Sequence, residues 1–404
     1  MAKRRSRGTR ALLEEMGDLG DLAHSPAEIS GRGLKVVSIV LDRIRPDPAQ
    51  PRRVLPEPIR SEFLSGHINA RQALERWEAL VTDEALSLGR PRPDWQALLD
   101  RNPEDRDADP ITVDPPGQPG PEEELLRAIV ATAATIRHGG QVSPITVSEV
   151  DAGGYYRIET GERRYWAHHW LTMWVSEGFE QIQCIIVPKA SPWRQAAENT
   201  SRESLSAMAM ARQLATLLLD LYDIRPDYTR PIPNDWYRQA LEYRVPRGEG
   251  ANLRAAMGGI ERSQLSRIQA LLRLPDPVWE LADRYRLEEK RLRYVLKVKD
   301  AALQVRLVQL MVEENLSAEQ VKRLAESGNL EELLTGVDVA SSIPNKPNPA
   351  RVVSRWTRLV DQVSEVDLDV VADEWVKRAE PETVRQQMAA LRRLLELVEK
   401  RVSD

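Results

Sequence analysis

The chain has 404 residues, a formal net charge of −5, 42% hydrophobic and 29% charged residues. That length and mixture fit two or three soluble domains with sizeable cores, and exclude a protein that is basic throughout, though not one with a local field suited to nucleic acid. The single cysteine, Cys184, excludes an internal disulfide and fits a reducing cytoplasm, and no apolar run approaches the roughly 20 residues that span a bilayer.

Residues 1–34 read as a basic, flexible tail with a short helix at Thr9–Met16. Lys3, Arg4, Arg5, Arg7 and Arg10 occur there with no acid in the first ten residues, and no apolar stretch follows that would make a secretory signal. Lys35–Leu41 (KVVSIVL) predicts a strand. In Arg45–Arg53 (RPDPAQPRR) three prolines forbid helix. Residues 54–128 hold 8 Arg against 16 Asp and Glu, and mix helical pieces such as Ala70–Val81 with Pro- and Asp-rich loops. Leu125–His138 predicts a helix closed by Gly139 and Gly140. Strands follow at Pro144–Val147, Tyr155–Thr160 and Gln181–Val187, with a helix at Arg164–Glu177 between the last two. The alternation indicates a small α/β domain, and Cys184 falls in a strand that reads as buried.

From Pro192 onward helical periodicity dominates, at Ser204–Leu221, Asp235–Tyr243, Ser263–Leu274, Pro277–Arg284, Ala301–Glu314 and Ala318–Glu326. Thr335–Ala350 is a linker by composition. The fold class expected is α+β, mostly α, with a small α/β domain at 35–200 that contains the acidic segment 54–128. An all-helical domain follows at 201–334, then the linker 335–350 and a helical module at 351–404.

Leu253–Leu274 (LRAAMGGIERSQLSRIQALLRL) has the pattern of a helix-turn-helix. A short helix ends at the Gly258–Gly259 pair, and a second starts near Arg262 with Leu265, Ile268 and Leu272 on one inward face. Arg262, Ser263, Gln264, Ser266, Arg267 and Gln269 lie off that face. Arg suits guanine edges and Gln adenine edges, and such a helix fits the major groove. Periodicity alone fits an ordinary helical hairpin equally well. The local excess of 11 Lys and Arg over 6 Asp and Glu in residues 251–299 favours DNA.

Several stretches resemble, in order, the motifs of the ParB family of plasmid and chromosome partition proteins. They are Pro46–Arg53 (PDPAQPRR), Gln141–Val147 (QVSPITV), Tyr155–Ala167 (YYRIETGERRYWA), Glu198–Arg202 (ENTSR), Ser263–Pro275 (SQLSRIQALLRLP) and Leu316–Ala325 (LSAEQVKRLA). The resemblance spans roughly residues 35–330 and departs from the family in four places. Residues 54–128 and 222–252 are long, Trp166 stands where an arginine is common, and KRLRYVL at 290–296 replaces a GHARAL stretch. The arginine's replacement by Trp166 implies a pocket altered at that point.

The resemblance implies a nucleotide pocket that binds CTP with Mg2+ and slowly hydrolyses it. Gln50, Arg52, Arg53, Gly161, Glu162, Arg163, Arg164, Asn199 and Arg202 are the candidate nucleotide ligands. Glu198 and Asn199 are the candidate metal ligands, with Glu198 catalytic. The residue types suit that chemistry, since a triphosphate needs cations and backbone amides and magnesium needs oxygen ligands. On composition alone, a structural ion-pair network of Glu162, Arg163 and Arg164 with Glu198 is the competing reading.

At the C-terminus Val384, Met388, Leu391, Leu395, Val398 and Val402 recur at spacings of four and three, a heptad seam. A helix packed in its own domain core fits the pattern too, but isolation behind the Pro-rich linker favours a homodimer, which would read an inverted-repeat site in double-stranded DNA. The family resemblance implies that the basic N-terminus engages a ParA-type ATPase; a solvated tail is the alternative. The expected setting is cytoplasmic, on nucleoid or plasmid. Two further functions are open at this stage: an operator-binding regulator without a nucleotide clamp, and an enzyme on the same fold. A sulfiredoxin-like enzyme would need a thiol in the Gly161–Arg164 turn, and none is present.

Overall fold

A computed structural model describes residues 35–87, 90–102, 119–150, 154–175, 178–202, 205–327 and 330, with isolated helical positions at 388, 392, 393 and 401. The chain divides into two units, 1–340 and 341–404. Both the sheet and the helix-turn-helix belong to the first. The Thr9–Met16 helix and the linker 335–350 lie outside the described residues.

Strand β1 (Val36–Val40) pairs antiparallel with β5 (Gln181–Val187), whose alternation places Ile182 and Cys184 in the main core and Ile185 and Val187 on the opposite face with Val36. β5 runs parallel to β3 (Ile145–Glu149), β3 antiparallel to β4 (Tyr156–Thr160), and β4 parallel to the two-residue β2 (Ile44–Arg45). The order is β1-β5-β3-β4-β2. Cys184 is fully buried and its thiol is pushed up to about 12 by desolvation, so it is a core residue and no nucleophile.

The acidic segment folds into the first core. Helices α1 (Glu57–Leu64), α2 (Ala70–Ser87) and α3 (Trp95–Asp100) precede α4 (Pro121–Gly139). Trp77 and Trp95 are buried with Leu126 and Ile129 of α4, and with Trp166 and Trp170 of α5 (Glu162–Trp174). α4 begins four residues before the periodicity predicts. Pro121 suits the first turn, and Glu122, Glu123 and Glu124 complement the helix dipole. It ends at Gly140, φ +74°, whose N–H donates to the Ile136 carbonyl at 2.9 Å.

The second core is helical throughout. It gathers α6 (Pro192–Arg202), α7 (Ala207–Asp220), α8 (Asn234–Arg238), α9 (Gly250–Ala256), α10 (Arg262–Ala270), α11 (Asp276–Arg284), α12 (Glu289–Val295), α13 (Ala301–Glu313) and α14 (Ala318–Glu326). The predicted helix Asp235–Tyr243 is α8 followed by a 3-10 turn at Gln239–Glu242, and the predicted Ser263–Leu274 is α10 followed by one at Leu271–Arg273. Leu214 and Leu218 of α7 meet Leu253, Leu265, Ile268 and Leu272, which fixes the helix-turn-helix on a long apolar helix. Among the described residues no helix is long and apolar enough to cross a membrane.

Candidate functional site

Four separate segments converge on a cavity of about 390 Å³ lined by Gln50, Arg52, Val54, Thr132, Gly161, Glu162, Arg163, Arg164, Glu198 and Asn199. The prolines of residues 46–56 keep that stretch out of helix, and it runs as a strap that turns at Asp47–Gln50 and carries Gln50 and Arg52 to the wall. The turn from β4 into α5 brings Gly161–Arg164, and α6 brings Glu198 and Asn199. Thr132 comes from the middle of α4.

Gly161 sits at φ +94°, a conformation that L side chains rarely adopt, and a Cβ there would stand 2.6 Å from Ile145 Cγ2. Glycine therefore lets the strand turn directly into α5, whose first turn, Gly161–Arg164, lines the cavity at the positive end of the helix dipole. Arg164 donates to the carbonyls of Ser143 and Pro144 at 2.6 and 2.7 Å, so it ties the entry to β3 to the same turn. Asn199 is buried and its Nδ2 donates to Gln50 Oε1 and Gln213 Oε1 at 3.4 and 3.3 Å. Its Oδ1 is thus not used to hold either partner.

The strap is held from both sides. Arg60 donates to the Pro48 carbonyl at 2.7 Å, and the fully buried Arg212 of α7 donates to the Pro51 carbonyl at 3.1 and 3.0 Å. Burial pushes the Glu162 carboxyl up to about 7, opposed by a hydrogen bond from the Trp166 indole at 3.0 Å and by the charge of Arg60. A cavity wall with three arginines and a helix N-terminus can hold a polyanion.

The structure departs from the sequence expectations at three positions here. Arg53 does not line the cavity: its guanidinium pairs with Glu57 at 2.8 Å and donates to Asn234 Oδ1 at 3.1 Å. Trp166 is absent from the wall as well. It is fully buried between Phe63 and Tyr165, edge-to-face with both, so the missing arginine alters the core beneath the pocket and not its lining. Thr132, conversely, is a lining residue that no motif marks. The side chain of Arg202 lies outside the described residues.

The residues present fit a magnesium–nucleotide in one specific way. No group of three or more His, Cys, Asp or Glu able to hold a metal occurs among the described residues. Magnesium at this wall would take the Glu198 carboxylate and the Asn199 amide oxygen, with phosphate and water completing its oxygen shell, as this ion commonly does in nucleotide sites.

At the second candidate surface, Gly258 and Gly259, φ +82° and +76°, make the turn from α9, and the Gly259 N–H donates to the Arg254 carbonyl at 2.8 Å. Leu265 and Ile268 of α10 are buried while Arg262, Ser263 and Ser266 are exposed and Gln264 is half-buried. Arg267 keeps 42% of its side chain exposed and pairs with Glu289 at 3.4 Å. Gln269 is corrected by the structure. Its Nε2 donates to the Ala240 and Tyr243 carbonyls at 2.7 and 3.2 Å, so it holds the preceding loop and has no N–H left for the two-point contact with adenine. Of the heptad seam, Met388 is helical and half-buried. Val384, Leu391, Leu395, Val398 and Val402 lie outside the described residues.

A model of the ParB HTH domain matches residues 252–329. The chain is similar to the nucleoid occlusion protein of Bacillus subtilis (strain 168), with 27% identity over 253 residues, 61% of this chain and 73% of the relative. It is similar also to that of Bacillus licheniformis, at 26% over 259 residues, 63% and 75% of the two chains. Among solved structures, the C-terminally truncated chromosome-partitioning protein ParB from Caulobacter crescentus, complexed to the centromeric parS site, has 17% identity and a TM-score of 0.30, covering 72% of this chain and 98% of that one. The same protein complexed with CTP-gamma-S has 16% identity and a TM-score of 0.21, covering 69% and 99%.

Proposed function

We propose that this chain, which belongs to the ParB family of DNA-binding proteins, is a partition-type switch that loads as a dimer on an inverted-repeat DNA site and takes CTP in its N-terminal cavity. The observation that carries the nucleotide reading is the convergence of Gln50 and Arg52, Gly161–Arg164 and Glu198–Asn199, drawn from three distant parts of the chain, on one wall. Arg52 and Arg163 neutralise the triphosphate, the α5 N-terminus receives its oxygens, and Glu198 with Asn199 supplies the oxygen ligands for magnesium. Glu198 also orders the water for slow hydrolysis. Arg262, Ser263, Gln264, Ser266 and Arg267 read and position the DNA, and the C-terminal heptad seam pairs two copies. The N-terminal basic tail engages a ParA-type ATPase. The relatives are named nucleoid occlusion proteins, which agrees with a DNA-bound role here.

Titration calorimetry with CTP and magnesium, with and without the DNA site, tests this reading. CTP is expected to bind the native chain and to lose binding in Arg163→Ala, while Glu198→Gln retains CTP and loses phosphate release. Arg163 is preferred to Arg164 as the probe because Arg164 also holds the Ser143 and Pro144 carbonyls. CTP binding indifferent to Arg163→Ala, or no binding, would leave a DNA-binding regulator without a nucleotide switch.

A further inference from the structure

The two segments that bring side chains to the cavity from outside the β4–α5 turn and α6 both end on the same pair of residues in the DNA-binding half. The first is the strap. Pro51 lies between Gln50 and Arg52, and its carbonyl is gripped by Arg212, whose Nη2 also pairs with Asp283 Oδ2 at 2.6 Å. The second is α4. It puts Thr132 on the cavity wall and, ten residues earlier and about 15 Å along the helix axis, Glu122 against Arg284, with Oε1 and Nε 3.1 Å apart. Glu84 of α2 closes on the same guanidinium, Nη2 to Oε1 at 3.3 Å. Gly120 lies so close to the Glu84 carboxylate that a Cβ there would collide with it.

Asp283 and Arg284 are consecutive at the end of α11, which is joined to the DNA-reading helix α10 by a 3-10 turn and Pro275. That joint is itself fixed, because Arg238 donates to the Leu272 and Leu274 carbonyls at 3.2 and 2.9 Å. A displacement of α11 therefore carries α10 with it.

We propose that Asp283 and Arg284 are positioning residues that couple occupancy of the cavity to the orientation of the helix-turn-helix, with Glu84 and Glu122 of the acidic segment as the second grip. The inference rests on the nucleotide reading above and gives the acidic segment a task that neither the cavity nor the DNA surface assigns to it. Drawing Gln50 and Arg52 inward around a triphosphate moves Pro51 and pulls on Arg212. A shift of α4 at Thr132 reaches Arg284 through a rigid helix. Ion pairs that are partly buried, as these are, bring little net stability but fix geometry, because breaking one leaves a charge without its partner.

The test measures DNA affinity by fluorescence anisotropy with and without CTP and magnesium, and CTP affinity alone by calorimetry, in the native chain, Arg284→Gln, Glu84→Gln and the conservative Arg284→Lys. In the native chain the ratio of DNA affinities with and without CTP is expected to lie in the range of about 5–150 that coupled sites show. In Arg284→Gln, which releases the second grip and leaves Asp283 on Arg212, it should fall severalfold toward 1 while DNA and CTP each still bind, and Arg284→Lys should restore part of the loss. If Arg284→Gln fails to fold by circular dichroism, Glu84→Gln, which removes one of the two carboxylates on Arg284, should lower the ratio without changing CTP affinity. An unchanged ratio in a folded Arg284→Gln or Glu84→Gln overturns the relay, as does a native ratio of 1 with CTP bound. A native chain that does not bind CTP at all refutes the nucleotide reading itself, and the relay with it.

Discussion

Replacing Gly161 by alanine should damage the fold and the cavity together, by an amount that the local geometry divides into two parts. The backbone there is left-handed at φ +94°, which costs an L residue about 1–2 kcal/mol. The new Cβ would stand 2.6 Å from Ile145 Cγ2 and 3.3 Å from Ile145 Cα. Ile145 is fully buried in β3 and cannot give way freely, so overpacking adds about 1–3 kcal/mol, for a total of about 2–5 kcal/mol. Gly178 is the control. It is also left-handed, at φ +98°, but no atom lies within 4 Å of its Cβ position, so Gly178→Ala should cost only the backbone part. Urea denaturation of both variants, compared through their midpoints with a shared slope, isolates the steric part as the difference. CTP titration of Gly161→Ala should show weakened binding, since the N-terminus of α5 must move. Equal midpoints for the two variants would refute the reasoning that the β4–α5 turn needs glycine for close approach.

Arg262→Ala should weaken binding to the specific DNA site by roughly 1–3 kcal/mol, whereas Gln269→Ala should cost roughly 1 kcal/mol of stability by removing the donor from the Tyr243 carbonyl and one of the two donors from the Ala240 carbonyl and leave base preference unchanged; a selection of bound duplexes with each variant separates the two. Glu122, facing Arg284, Glu84 and Glu280, is pushed up to about 7 from 4.5 by burial, with Arg284 opposing and the two glutamates adding. The folded chain thus binds a proton that the unfolded chain has released between about pH 4.5 and 7, so stability should fall as pH rises through that window. Glu122→Gln should remove on the order of 3 kcal/mol of that fall, and pH-dependent denaturation that is identical in the two proteins would contradict it. If the C-terminal seam pairs two copies as proposed, Leu391→Glu with Leu395→Glu should halve the mass measured by light scattering; an unchanged mass would make the seam internal.

Much of this was legible in the sequence, and the failures share a physical cause. The strands, the Gly258–Gly259 turn and the inward face of Leu265, Ile268 and Leu272 are local patterns, and local periodicity reads them correctly. The cavity residues could be named because the GERR stretch at 161–164 and the Glu198–Asn199 pair resemble ParB motifs; their residue types alone fit an ion-pair network as well. What could not be read depends on distant partners. Arg52 and Arg53 are neighbours, yet one lines the cavity while the other turns to Glu57 and Asn234, a partner 181 residues away. Gln269 looks like a base-reading residue until the loop at 240–243 is seen over it. Trp166 occupies an arginine's place in its motif, but the extra helices of residues 54–128 supply Phe63 and an enlarged apolar core that accommodates an indole. Thr132 lies in a helix with no phosphate-binding motif, and only the packing of α4 against α5 delivers it.

A crystal structure of the chain grown with CTP and magnesium tests the central claim most directly. The triphosphate is expected in the cavity between Arg52, Gly161–Arg164 and Glu198–Asn199, with the metal on the Glu198 side. Nucleotide found at another surface, or a cavity that stays empty at saturating CTP, would contradict it.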